Sequence, residues 1–332
     1  MEEKVCVTTY VWGDKYQDYV PIAVYSLQKS YPEYDIVLFL HGTLKPSLKA
    51  LLDKFNLKVT IKENVFADCP QMNSSKAKAF RWVLWDDSFL SYDYIYTIDI
   101  DMFYIKEPLS LHLQHIYHMK NITNLPFDNM RRIVSVKDNC LINRVFDLCR
   151  FCKKNGIKSR YIPNYLSLFK NSEIVRLSGL HFVNVKDYYG ALSLDVLRKY
   201  TLEIYEGVYL KGLNVSDEIF LYRMLHELGF NVNRLAVQKL GQYEHLDFNN
   251  YDKELFRPTH GVHLGVFRGE KLAGWQMETL LMPHEIYYKE YIQNELLANR
   301  DFIEFIQSLE DAPKLYFKKY FDFHRIDASF LN

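Results

Sequence analysis

The chain has 332 residues, and its 41 Lys and Arg are matched by 41 Asp and Glu, so the formal charge is zero and no global field draws it to nucleic acid. Hydrophobic residues make up 48%, enough for one large α/β domain or two modest ones, because single cores stop growing near about 250–300 residues. No apolar stretch approaches the roughly 18 residues of a membrane span, and Met1-Glu2-Glu3-Lys4 leads straight into an apolar run, so neither a transmembrane helix nor a signal peptide is expected.

Val5–Val11 (VCVTTYV) reads as a short apolar strand. Val20, Ala23, Val24 and Leu27 then fall at i, i+3, i+4 and i+7 of a helix. Residues 36–40 form an apolar run too short for a helix, Leu48, Leu51, Leu52 and Phe55 repeat the helical spacing, and residues 57–61 alternate like a strand. The order β-α-β-α-β predicts a parallel sheet with right-handed crossovers. Ala77, Phe80 and Leu84 predict one more helix. After it, the alternating aromatic and β-branched residues of 94–103 end in two carboxylates, Asp99 and Asp101.

A buried strand that ends in this way delivers anionic ligands to the carboxyl edge of a sheet, where open α/β sheets bind their ligands. Hard divalent cations such as Mg²⁺ and Mn²⁺ are held by one or two carboxylates while substrate phosphates complete the shell. Strand alternation sends Asp99 and Asp101 to one side and Ile100 to the core. The competing reading of an isolated Asp-x-Asp is a solvated turn or a helix cap.

The strand with Thr8-Thr9, the helix carrying Lys76, Lys78 and Arg81, and the strand Tyr96-Thr97-Ile98-Asp99-Ile100-Asp101 together resemble the GT-A fold glycosyltransferases. Within that group the resemblance is to the retaining family that includes glycogenin and the bacterial lipopolysaccharide galactosyltransferases. It spans about residues 4–269. The family's Asn-x-Gly-like strand, acidic helix start and late His-x-x-Gly segment have counterparts in residues 179–184, in Asp217-Glu218 and in residues 260–265. Its Lys-Pro-Trp after the late histidine is missing, and Arg268-Gly269 stands nearby.

The resemblance implies a GT-A (Rossmann-like) α/β fold, with a mixed, mainly parallel sheet flanked by helices and a helical C-terminal extension. It implies a nucleoside diphosphate sugar as donor, Mn²⁺ or Mg²⁺ as cofactor, and a glycan or lipid-linked glycan as acceptor. Asp99, Asp101 and His263 would be metal ligands, with His260 a weaker candidate and a polar turn the competing role of both histidines. Thr8, Thr9 and Tyr10 would meet the nucleotide. Asp14 would accept hydrogen bonds from ribose or base, unless Trp12-Gly13-Asp14 is only a turn. Arg81 would hold the donor diphosphate or sugar, against the alternative of a solvated face shared with Lys76 and Lys78. Gly265 would let the backbone approach the diphosphate.

Asp217 would stand beside the anomeric carbon, although Ser216-Asp217-Glu218 also makes a good helix start. Asn184 would contact the sugar from the strand 179–185. Alternation aims it to the face opposite His181. Two other classes compete with the glycosyltransferase. A nucleotidyltransferase usually opens with a Gly-rich phosphate loop, which residues 5–12 lack. A noncatalytic glycan- or nucleotide-binding protein of the same fold would be set apart by metal-dependent donor hydrolysis.

Aromatics reach 16%, with 26 Tyr and 22 Phe, which suits sugar binding and fits equally well with an AT-rich coding sequence. The five cysteines are odd in number and irregularly spaced. Cys149 and Cys152 lie with Ile142, Val145 and Phe146 on a helix pattern ending near Gly156, so reduced thiols, no zinc and a cytoplasmic address are expected, and the sequons at Asn121 and Asn214 carry no meaning. Composition changes near residue 280, where Met282-Pro283 precedes helical segments, placing domains at 1–278 and 279–332. The tail Lys314-Leu315-Tyr316-Phe317-Lys318-Lys319-Tyr320-Phe321 interleaves bases and aromatics. It caps the catalytic domain, forms a homodimer contact, or rests on the inner face of an anionic membrane.

Overall fold

The computed structural model describes residues 3–135, 173–207, 217–239, 260–269, 272, 275–280 and 284–331. The expected helix through Ile142 and Cys149, Ser216, Asn214 and the Met282-Pro283 boundary lie outside the described residues. The chain is α/β with a mainly parallel sheet, and it divides into two compact units. One gathers Met1–Ala67, Ser91–Ile116 and Asp252–Asn332, the other Asp68–Leu90 and Tyr117–Tyr251.

The first unit is built on four parallel strands, β1 (Val5–Val11), β2 (Asp35–Leu40), β3 (Thr60–Lys62) and β4 (Tyr94–Thr97), in the order β3-β2-β1-β4. All seven residues of β1 are buried, which is why its sequence is apolar throughout apart from Thr8 and Thr9. Helix Val20–Ser30 carries Pro21 in its first turn, where a missing N–H costs nothing, and buries nearly every side chain. Helix Pro46–Lys54 buries the predicted Leu48, Leu51 and Leu52. The expected strand 57–61 begins only at Thr60. Leu57 closes the preceding helix instead, its N–H donating to the Leu52 carbonyl while Asn56 takes the left-handed conformation.

A small antiparallel pair completes the unit: β5 (Met102–Tyr104) lies beside the strand Gly261–His263. The helices Arg300–Gln307 and Asp311–His324 turn their aromatics inward. Phe302, Phe305, Tyr316, Phe317, Tyr320 and Phe321 are all buried, and Phe305 stacks on Tyr25 with centroids 3.9 Å apart. The aromatic face of the tail is thus spent on packing within this unit. Lys319 donates to the carbonyls of Phe267 and Gly269, at 3.0 Å each.

In the second unit, helix Ser74–Phe80 is capped by the Asn73 side chain, which accepts from the Ser75 and Lys76 N–H groups. This helix stops before Leu84, the last of the residues expected in it. Trp82 and Val83 close turns on the Ala79 and Phe80 carbonyls. A three-stranded sheet runs Ala236–Lys239, Met130–Ser135, Glu173–Leu177, the first pair parallel and the second antiparallel. Strand His181–Asn184 pairs antiparallel with Phe127–Asp128 and leads into helix Val185–Ala191. Helix Asp217–Glu227 packs on Ser74–Phe80. Among the described residues no helix is long and apolar enough to cross a membrane.

Candidate functional site

Within the first unit, the chain runs outward from β1 through β2 to β3 and then returns to place β4 on the other side of β1. The carboxyl ends of β1 and β4 therefore flank a topological switch point, the usual ligand crevice of an open α/β sheet. β4 ends at Thr97, and the Ile98 N–H donates to the Thr8 carbonyl at 3.0 Å. Asp99, Ile100 and Asp101 follow in the turn that enters β5. The carboxylates thus stand just beyond the strand on which alternation placed them. Ile98 and Ile100 are both buried and pin the turn, so the apolar alternation runs on past the last ladder bond and hides the strand's end.

Pairing of β5 with Gly261–His263 sets His263 opposite Met102, next to Asp101. Gly261 makes that approach feasible. Its φ is 145°, and a Cβ there would lie 2.8 Å from the Tyr104 Cα and 2.9 Å from the Phe103 carbonyl carbon. The His263 Nε2 stands 3.4 Å from Asp101 Oδ2. Gly265 donates its N–H to the Asp101 carbonyl at 3.3 Å, and a Cβ on it would lie 2.8 Å from the Asp101 carboxyl carbon and 2.6 Å from Arg268 Nη2.

Arg268 completes the cluster. Its Nη2 is paired with Asp101 Oδ2, its Nε donates to the Gly265 carbonyl at 3.0 Å, and its Nη1 donates to the Tyr16 hydroxyl at 2.6 Å. The guanidinium also lies 5.1 Å from the Tyr16 ring centroid. Tyr16 belongs to the one-turn helix Asp14–Gln17 that follows Gly13 after β1. Tyr19 stands beside it, its ring stacked on Tyr316 and its hydroxyl buried without a hydrogen-bond partner among the described residues.

Burial opposes a charge on Asp101, which is 5% exposed, but His263 and Arg268 outweigh it and hold the carboxyl well below the usual carboxylate range. Burial likewise disfavours the His263 imidazolium, and the Asp101 and Asp99 carboxylates reverse the balance and raise its pKa. Tyr19 is pushed up by burial and by the Asp101 charge. The cluster is thus an ionised carboxylate paired with the Arg268 guanidinium and flanked by the His263 imidazole.

Asp101 Oδ2 and His263 Nε2 are the kinds of donor that Mn²⁺ or Mg²⁺ accepts. Their 3.4 Å separation is near the roughly 3 Å between adjacent ligands of an octahedral ion with bonds of about 2.1 Å. Among the described residues no three His, Cys, Asp or Glu side chains gather into a metal-binding group. A two-donor protein site suits an ion whose remaining positions are filled by phosphate and water.

The other expected residues fall into distinct settings. Thr8 and Thr9 are 1% and 2% exposed inside β1. The Tyr10 hydroxyl donates to the Val65 carbonyl at 2.9 Å and lies 3.0 Å from His41 Nδ1. Asp14 is exposed and opens the short helix that carries Tyr16. His260 is buried, its ring 5.0 Å from that of His115.

In the second unit Arg81 and Lys76 are both buried, so they form no solvated helix face, whereas Lys78 is exposed. Lys76 donates to the Pro70 and Tyr205 carbonyls at 2.7 and 2.8 Å. Arg81 pairs with Asp217, and both side chains are 9% exposed. Trp82 donates its indole N–H to the Asp217 carbonyl at 3.0 Å. Glu218 is bound by Arg132 and Arg176 at 3.0 Å each. Asn184 caps helix Val185–Ala191, accepting from the Asp187 N–H at 3.0 Å. His181 lies between Asn129 and Tyr188, at 3.1 and 3.2 Å.

Sequence reasoning did not place Tyr16 or Tyr19 in the site, and it noted Arg268 only as a neighbour of the late histidines. The signal for the tyrosines is thin, two aromatics three apart after a glycine turn.

No family model matches the chain, and no curated protein matches it. Among solved structures it is similar to core-mannan synthase A of Aspergillus fumigatus in a Mn/GDP form, at 7% identity over 68% of this chain and 70% of that one, with a TM-score of 0.41. It is similar also to the galactosyltransferase LgtC in complex with donor and acceptor sugar analogs, at 14% identity over 83% and 93% of the two chains, with a TM-score of 0.41. A third is the glycosyltransferase GlyE of Streptococcus pneumoniae, at 11% identity over 88% and 64%, with a TM-score of 0.39.

Proposed function

We propose that this chain is a GT-A, metal-dependent glycosyltransferase that moves a hexose from a nucleoside diphosphate sugar to a glycan or lipid-linked glycan, keeping the donor's anomeric configuration. The observation that carries the reading is the ionised, buried Asp101 carboxylate at the switch-point crevice, gathered with His263, Gly265 and Arg268. A surface polysaccharide assembled from the cytoplasmic side of a membrane is the corresponding process, with 1–278 as the transferase domain and 279–332 as its helical extension.

Asp101 and His263 would hold Mn²⁺ or Mg²⁺ directly, and Asp99, the third expected ligand, would add its negative charge beside them. Bound there, the ion would supply the Lewis acid that neutralises the departing diphosphate. Gly265 keeps side-chain bulk away from the Asp101 carboxylate. Tyr16, half-buried, offers an aromatic ring suited to a nucleotide base or a sugar, and the buried Tyr19 backs it. Thr8, Thr9, Tyr10 and Asp14 belong to the nucleotide end in this reading, and Arg81, Asp217 and Asn184 to the sugar end. With retention, the acceptor enters on the face the diphosphate leaves, so the leaving phosphate oxygen takes the acceptor proton and Asp217 stabilises positive charge at the sugar.

A thermal-shift panel of nucleoside diphosphates with and without Mn²⁺ tests the assignment. One nucleotide should raise the melting temperature only with Mn²⁺, and Asp101→Asn should abolish that dependence. A folded Asp101→Asn protein with unchanged metal-dependent nucleotide binding would show the site to be misassigned. NMR of the first-formed product from an α-linked donor decides the stereochemistry, an α-linked product being expected and a β-linked one refuting retention.

A further inference from the structure

Arg268 is held on Asp101 from several directions by its own unit. The guanidinium lies 5.1 Å from the Tyr16 ring centroid, Nη1 donates to the Tyr16 hydroxyl, Nε donates to the Gly265 carbonyl, and Nη2 reaches Asp101 Oδ2. The segment carrying it is itself fixed, because the Lys319 ammonium of helix Asp311–His324 takes the carbonyls on either side, those of Phe267 and Gly269. The oxygen that Arg268 occupies is the same Oδ2 that stands 3.4 Å from His263 Nε2, the donor pair suited to a divalent ion. A carboxylate oxygen paired end-on with a guanidinium and flanked by an imidazole has no room for a further cation, and two positive groups at one oxygen repel each other.

We infer that Arg268 is a resident counter-cation of Asp101 that competes with divalent metal for Oδ2, so that metal binds this chain only as far as Arg268 lets go. The inference rests on the metal-site reading under Proposed function and deepens it. Neutralising a buried carboxylate by a tethered cation keeps the crevice stable without metal, because an unpaired buried charge is strongly destabilising. An anion that draws the guanidinium away from Asp101 then promotes metal binding at the same carboxylate, and by linkage metal promotes anion binding equally.

The test measures Mn²⁺ binding alone, without nucleotide, by the loss of the free-ion electron paramagnetic resonance signal. The proteins are the full chain, Arg268→Gln, Arg268→Lys and Arg268→Gln with Asp101→Asn. Arg268→Gln should bind Mn²⁺ about tenfold or more tightly than the unaltered chain, since removing the competitor frees a charged contact of that order. Arg268→Lys, a cation without the planar fork, should fall between them, and the double variant should lose the gain. Thermal melts check the fold independently, and Mn²⁺ should raise the melting temperature of Arg268→Gln more than that of the parent. An unchanged or weakened Mn²⁺ affinity in folded Arg268→Gln, with binding still dependent on Asp101, overturns the competition and leaves the metal site standing. Absence of Mn²⁺ binding in every protein overturns both.

Discussion

Breaking the Arg81–Asp217 pair gives a sharp test of what the second unit uses these residues for. Both side chains are 9% exposed, the Arg81 guanidinium lies 4.2 Å from the Trp82 ring centroid, and Trp82 donates to the Asp217 carbonyl. Asp217→Asn keeps the shape and removes the charge, leaving Arg81 buried beside a neutral amide. Loss of one partner from a buried pair costs about 3–5 kcal/mol. Arg81→Met should cost a similar amount, because it strands the carboxylate and also forfeits the stacking on Trp82. With both changes no unpaired charge remains, so the double variant should be less destabilised than the sum by about 2 kcal/mol or more. Urea unfolding followed by tryptophan fluorescence, in which Trp82 reports on its own unit, and by circular dichroism gives these values, with an unchanged urea slope showing that the denatured state is comparable. Single losses below about 1 kcal/mol that simply add, within about 0.5 kcal/mol, would refute the pairing.

Gly265→Ala should disable the metal site with the fold retained, because its Cβ would overlap Asp101 Oδ2 and stand 2.8 Å from the Asp101 carboxyl carbon, so the carboxylate itself must turn away from His263. Nucleotide-dependent melting with Mn²⁺ checks it, and an unchanged response would show that the segment shifts freely. The contact of Glu285 with His324, 3.7 Å, is not an ion pair. Burial pushes the Glu285 carboxyl up to about 8, and burial together with Lys289 holds His324 down to about 4, so both are neutral near pH 6. The folded chain keeps a proton on Glu285 that the unfolded chain releases near pH 4.5, so this group's contribution falls as pH rises from there towards 8. His324 acts oppositely, stability being lost as pH falls from 6.5 towards 4. Glu285→Gln should therefore gain in melting temperature over the parent as pH rises from 5 to 8, about 1.4 kcal/mol for each unit of the window being the upper bound. A constant difference across that range would show that Glu285 is already ionised.

Much of the first unit was legible in the sequence because its signals are local. A central parallel strand is buried on both faces, so Val5–Val11 had to be apolar, and a half-buried helix had to repeat Leu48, Leu51 and Leu52 at helical spacing. The two carboxylates after an apolar run were equally visible, since nothing in a core tolerates them unless they emerge at an edge or find partners. The exact end of β4 was not visible, because Ile98 and Ile100 stay buried through the turn and prolong the strand's pattern.

The partners of the charges were decided only by tertiary structure. Arg268 reaches Asp101 across 167 residues, and Arg81 reaches Asp217 across 136. Asn184, read as a sugar contact on a strand, ends that strand and also caps helix Val185–Ala191, which begins at the next residue. Periodicity records which face of an element is buried, a property each segment carries alone. Which cation neutralises which buried carboxylate depends on what distant segments bring to it, and the free energy of that choice exists only once the chain has closed and water has left.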